Sequence, residues 1–257
     1  MESYRLEGQT FVIDDYDRKP AFSSFLPGLA GVKGIPLWTF YTNRGQGMNS
    51  FGIDNKGNAI MEFNSANTAF ENTQVKGFRT FLKIDGEYYE PFFTYEKEAK
   101  RQMRMNKNSF KIIETNEKYG IEVTVNYYVL PNESIGALVR QNIGDSAKEV
   151  QVIDGLPKII TYGIANGEFK EMSNLFKSWA DIRNLENKVP YYTLRASTKD
   201  SAEVSDVEGG YYYLTIKDNE LQDVIYDVDT VFGYDLSLMT PVNFIDGSIE
   251  GVLSKEQ

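Results

Sequence analysis

The chain has 257 residues, 41% of them hydrophobic and 14% aromatic, and its 37 Asp and Glu outweigh 27 Lys and Arg for a formal net charge of -10. That charge argues against nucleic acid and against an anionic membrane surface, both of which need clustered Lys and Arg. Cys and His are absent, which excludes disulfides, zinc–thiolate sites, Ser-His-Asp and Cys-His catalysis, and His-based metal or acid–base chemistry.

The first fifteen residues, MESYRLEGQTFVIDD, are polar and acidic, with no apolar core of a signal peptide. No run of about 18 apolar residues occurs, so no membrane span is expected. A cytoplasmic location fits both observations. Seventeen Tyr and 16 Phe favour sheet over helix, because aromatic rings suit a pleated, half-buried surface.

Residues 10–13 predict the first strand. Asp14, Asp15 and Asp17 follow Ile13 closely. They lack the central Gly and downstream Glu of an EF-hand loop, so a solvated acidic turn is expected there rather than a calcium site. Residues 22–52 are the most informative stretch: FSSFLPGLAGVKGIPLWTFYTNRGQGMNSFG. A Gly/Pro-punctuated loop leads into a β-prone run at 37–41, and residues 48–53 predict another short strand. Between them stands Asn43-Arg44-Gly45-Gln46-Gly47. Gly45 and Gly47 can take positive φ and turn the chain tightly. Two readings of this turn stand: Arg and Gln cap backbone carbonyls, or Asn43, Arg44 and Gln46 present planar hydrogen-bonding groups to sugar hydroxyls, with Trp38 and Tyr41 as aromatic plates.

Residues 59–63 and 78–84 predict strands, and 64–71 could hold one helical turn capped by Ser65 or Asn67. Asp85-Gly86 is a strong hairpin signal. Lys97, Lys100, Arg101 and Arg104 are expected on an exposed strand face, with contact to phosphate as a second reading. Residues 110–114 and 121–130 predict a hairpin turning at 116–120, and 121–127 alternate apolar and polar as a half-buried strand does. Residues 135–143 and 149–153 are expected to pair through the turn at 144–146. Residues 167–185 are the best helix candidate, with Phe169, Met172, Phe176 and Trp179 at helical spacing. That stripe fits a helix packed on a sheet or subunit interface better than a sugar site. Strands are expected again at 191–197, 210–217 and 224–232. No linker or internal repeat divides the chain, which predicts one domain over residues 1–257.

The words FSSFLPGLAGVKGIPLWTFYTNRGQG, Ile60-Met61-Glu62-Phe63 and Gly77-Phe78-Arg79-Thr80-Phe81 resemble the N-terminal region of inverting glycoside phosphorylases of the cellobiose phosphorylase group. They are most similar to the branch acting on β-1,2-linked gluco-oligosaccharides. The strongest match covers roughly residues 10–95. The resemblance implies a mainly β fold, a large two-sheet antiparallel sandwich of the galactose-mutarotase-like type. In that family a helical linker and an (α/α) barrel with the catalytic Asp follow the sandwich. The resemblance therefore implies a non-catalytic sandwich domain, with phosphate as cosubstrate of the whole enzyme and no cofactor. It implies as partners an oligosaccharide, the catalytic barrel and a second copy in a homodimer. Asn43, Arg44, Gln46, Trp38 and Tyr41 would form the rim of the sugar pocket. Mutarotase activity is not expected, because that chemistry uses His. The alternative reading is a stand-alone carbohydrate-binding module.

Overall fold

Alternation of apolar and polar side chains builds the larger sheet. In the computed structural model, which describes residues 3–25, 37–93, 97–107, 109–130, 134–143, 148–172, 175–199 and 201–249, six antiparallel strands run in the order β1 (Tyr4–Glu7), β2 (Thr10–Asp14), β9 (Lys100–Met105), β10 (Ser109–Asn116), β11 (Ile121–Leu130), β12 (Ser134–Ile143). Every second residue of β10 is buried, and so are Ile121, Val123, Val125 and Tyr127 of β11. Period-two burial is what a strand with one core-facing side requires. Residues 116–121 close the β10–β11 hairpin as expected.

A second layer covers that face. It comprises the four-stranded sheet β3 (Ser23–Phe25), β4 (Leu37–Thr42), β5 (Met48–Ile53), β6 (Ala59–Met61), and the three-stranded sheet of β7 (Arg79–Ile84), β8 (Glu87–Tyr89) and β13 (Val150–Gly155). Tyr41, Met48, Phe51, Met61, Leu82, Ile84 and Tyr89 from this layer pack against Met103, Phe110, Ile112, Val123, Val125 and Tyr127 from the other. The chain is thus mainly β, with antiparallel sheets packed face to face. The Asp85-Gly86 hairpin forms as the sequence indicates, with φ of 50° and 86° at its two central residues.

Outer faces of the second layer carry the remaining segments. α1 (Ala66–Lys76) lies against β5 and β4. α2 (Asn166–Met172) and α3 (Phe176–Trp179) bring Phe169 and Phe176 onto Ala59, Ile160 and Leu194. Three strands, β14 (Ala180–Arg183), β15 (Tyr191–Leu194) and β16 (Tyr211–Tyr212), form a small sheet, and β17 (Ile216–Lys217) pairs with β18 (Glu220–Leu221). α4 (Val228–Phe232) and α5 (Val242–Asp246) cover Phe81 and Ile153.

Six expectations need correction. β13 does not pair with β12; it crosses to β7, where Asp85 and Glu149 exchange two hydrogen bonds and fix the register. The turn expected at 144–146 lies outside the described residues. Residues 167–185 are not one helix. The stripe Phe169, Met172, Phe176 packs as a helical face, but from Ala180 the chain is extended and hydrogen-bonds to β15. Residues 228–232 are helical rather than a strand, because Asp227 caps the first turn through Asp229 N and Gly233 ends it at φ 59°. The acidic turn is not wholly solvated: Tyr16 and Asp17 are buried in a 3₁₀ turn, Tyr16–Arg18. The basic face of β9 is not wholly exposed either, since Arg101 points inward beside Met103. The helix at 64–71 runs longer than one turn, to Lys76. Among the described residues no helix is long and apolar enough to cross a membrane.

Candidate functional site

The β4–β5 turn is where the distinctive words of the sequence meet. Gly45 and Gly47 adopt φ of 51° and 83°. A Cβ on Gly47 would stand 2.4 Å from Cζ of Phe110, so both the turn and the core demand glycine there. Thr42 N and Gly47 O close the turn at 2.8 Å.

Asn43 is fully buried. Its Nδ2 lies 2.9 Å from Tyr16 O and 3.0 Å from Pro20 O, and its Oδ1 accepts from Phe22 N at 2.9 Å. The side chain therefore straps the 16–22 segment to the turn. Tyr16 completes the strap by donating its hydroxyl to Gly45 O. Gln46 is also buried. It donates to Thr80 Oγ1 at 2.6 Å, Thr80 donates to Asp154 Oδ1 at 2.5 Å, and Tyr127 donates to Gln46 Oε1 at 3.4 Å. This relay ties the β4–β5 turn to β7, β11 and β13. Protein atoms crowd round the Asp154 carboxyl although the residue keeps solvent access, and desolvation pushes its pKa up to about 6.

Arg44 is only half-buried. Nη1 donates to Asn43 O at 2.8 Å. Tyr41 is buried behind the turn, its ring 5.5 Å from Phe110. Trp38 sits apart. At about 3.3 Å per residue it is about 16 Å up the strand from Asn43, its Nε1 donates to Asn55 O, and its ring meets Phe25 and Phe63 edge-on. Of the five residues singled out in the sequence, Asn43, Arg44 and Gln46 share one turn, Tyr41 backs it from the core, and only Arg44 and Trp38 reach solvent.

A shallow cleft opens between the turn and β7, lined by Gly45, Gln46, Gln74, Phe78, Arg79 and Glu90 among others. The words around residues 45 and 79 thus face one another. Arg79 meets Glu90 in a two-pronged ion pair, with Nε to Oε1 at 2.7 Å and Nη2 to Oε2 at 2.8 Å. It also donates to Leu238 O and Met239 O, so its guanidinium is engaged on every side. Burial lifts the Glu90 carboxyl above its ordinary range, against the pull of Arg79. The cleft has room for no more than about one water, far below an ordinary ligand pocket. Arg44 does not line this cleft; its Nη1 and Nη2 also reach Lys19 O at 3.5 Å.

One buried constellation went unread in the sequence. Arg101 bridges Asp17 and Glu114 inside the sandwich, Nη1 and Nε each at 2.5 Å. Glu114 also accepts from Tyr89 Oη and from Phe92 N. The available signal was phase: Arg101 alternates with Met103, and Glu114 with Phe110 and Ile112, so both fall on the buried side. Among the described residues no group of three or more carboxylates is placed to hold a metal ion.

No protein-family model matches the chain, and no curated protein matches it.

Proposed function

We propose that the chain is a non-catalytic sandwich domain of a carbohydrate phosphorylase, supporting a helical catalytic barrel and presenting Arg44 toward the rim of its sugar pocket. The observation that carries this reading is convergence. The resembling words at 22–47 and 77–81 are separate in sequence, yet Gln46 and Thr80 share a hydrogen bond and Gly45, Gln46, Phe78 and Arg79 line one cleft. Phosphorolysis with inversion needs a general acid opposite the attacking phosphate; in the proposed whole enzyme that acid stands on the barrel. A docking role is supported by the large apolar side chains left exposed between residues 204 and 236, among them Val204, Tyr212, Ile216, Tyr234 and Leu236. The whole enzyme would phosphorolyse β-linked gluco-oligosaccharides and work as a homodimer.

The test is phosphorolysis of β-linked gluco-oligosaccharides, following sugar 1-phosphate, with this chain alone and with a separately produced catalytic barrel. Activity on mixing alone is the expected result. Activity of the chain by itself, or none after mixing while the two form a complex, overturns the proposal.

A further inference from the structure

We infer that the loop between α4 and α5 is a preformed anchor for the catalytic barrel, its Tyr234 and Leu236 entering an apolar socket rimmed by Lys and Arg. The inference rests on the sandwich-domain reading proposed above and names the contact through which the two parts join.

Tyr234 and Leu236 are 84% and 85% exposed, and among the described large apolar side chains only Val204 matches them. A lone exposed leucine needs no explanation. A tyrosine and a leucine two residues apart on a braced loop do. Gly233 opens the loop at φ 59°, and its N–H closes α4 on Asp229 O at 2.8 Å. Between the two apolar residues, the Asp235 carboxylate accepts from Ser237 N at 2.9 Å and from Thr240 N at 2.6 Å. Arg79, held by Glu90, donates to Leu238 O and to Met239 O. None of these bonds uses the Tyr234 or Leu236 side chain. Ordering a loop costs free energy on binding, and a loop ordered beforehand is spared that cost. Tyrosine adds a large contact area for two side-chain torsions and is enriched among the residues that dominate binding.

Charge and position select the partner. From Tyr226 to Ile249 the chain carries Asp227, Asp229, Asp235 and Asp246 and neither Lys nor Arg. Arg79 is neutralised by Glu90, and Lys83 answers Asp246, so the α4–α5 unit stays negative. Such a surface repels a second copy of itself and fits a basic rim. Ile249 packs with Val231 and Phe232, the residues that lead into the loop. In the proposed whole enzyme, the polypeptide leading to the barrel therefore sets out beside Tyr234, and tethering keeps the barrel at high effective concentration there.

The experiment measures the Kd of the intact chain for the separately produced barrel by isothermal titration calorimetry, with phosphorolysis followed in the same mixtures. Tyr234→Ala is expected to raise Kd about tenfold and Leu236→Ala about threefold. Both variants should keep the parent's thermal midpoint, since neither side chain is packed. Leu6→Ala, at a residue 70% exposed on β1, is the control and should stay within about twofold. Raising NaCl from about 50 to about 500 mM should weaken the parent complex about fivefold. A complex whose Kd ignores both Tyr234→Ala and Leu236→Ala, with phosphorolysis intact, overturns this inference and leaves the sandwich-domain reading standing. A Kd indifferent to salt also overturns it. So does self-association of the chain that Leu236→Ala abolishes in sedimentation, which would make a second copy the occupant. Absence of any complex with the barrel brings down both readings together.

Discussion

Arg101 donates from Nε to Glu114 Oε2 across 2.5 Å, and each side chain is 1% exposed. Asp17 receives the other arm of the same guanidinium. Removing one member of a buried pair leaves charge without compensation. Arg101→Met is expected to lower unfolding free energy by about 3–5 kcal/mol, read from the urea midpoint. A loss under about 1 kcal/mol would show that water reaches the two carboxylates.

Asn43 and Arg44 are neighbours with opposite expectations. Asn43→Ala strips partners from several buried backbone groups and is expected to cost about 2–4 kcal/mol. Arg44→Ala, at a half-exposed site, is expected to stay within about 1 kcal/mol of the parent. In the whole phosphorylase proposed above, Arg44→Ala should weaken oligosaccharide use without unfolding. Unchanged kinetics in a stable Arg44→Ala variant would remove Arg44 from the pocket rim.

Gly47 and Gly86 provide a matched pair. Both have positive φ, 83° and 86°, but a Cβ at Gly47 meets the buried Phe110 ring while one at Gly86 meets nothing within 4 Å. Gly86→Ala should carry backbone strain alone, about 1 kcal/mol. Gly47→Ala adds overpacking and should reach about 3 kcal/mol. Equal losses in thermal unfolding would mean that Phe110 moves aside freely.

Asp154 makes stability depend on pH in a defined direction. Its folded pKa is raised from 3.8 to about 6, so between those values the native state holds more protons than the unfolded chain. Its contribution is present at the acid end and is lost as pH rises through that window. Asp154→Asn keeps an acceptor for Thr80 and should flatten this part of the profile. The check is urea denaturation across the window; a parent and variant with parallel profiles would contradict it.

Much of the sandwich was readable because its strands obey simple periodicity. β11 alternates from Ile121 to Tyr127, and Gly45 and Gly47 mark their turn by residue type alone. Arg101 and Glu114 were missed because a charge in a strand is ordinarily read as solvent-facing, and only its phase against Met103 and Phe110 says otherwise. β13 was assigned to its chain neighbour, since nothing local in Val150–Gly155 records that its partner is β7. α4 hid behind the β-branched Val228 and Val231, although Asp227 and Gly233 were legible caps. At the candidate site, residue types suited to sugars drew attention to Asn43 and Gln46, whereas burial gives both of them internal partners.

The pairing of β7 with β13 sets an order of events for the growing chain. β8 joins β7 at once through a tight turn, but the opposite edge of β7 waits for Val150–Gly155, far downstream. Until those residues leave the ribosome, an apolar strand stands with its backbone groups open to any extended segment nearby. Closure of this edge is a long-range step, slower than the local β9–β10–β11 meander. A nascent chain stalled before residue 150 should therefore be the species that aggregates and recruits chaperones.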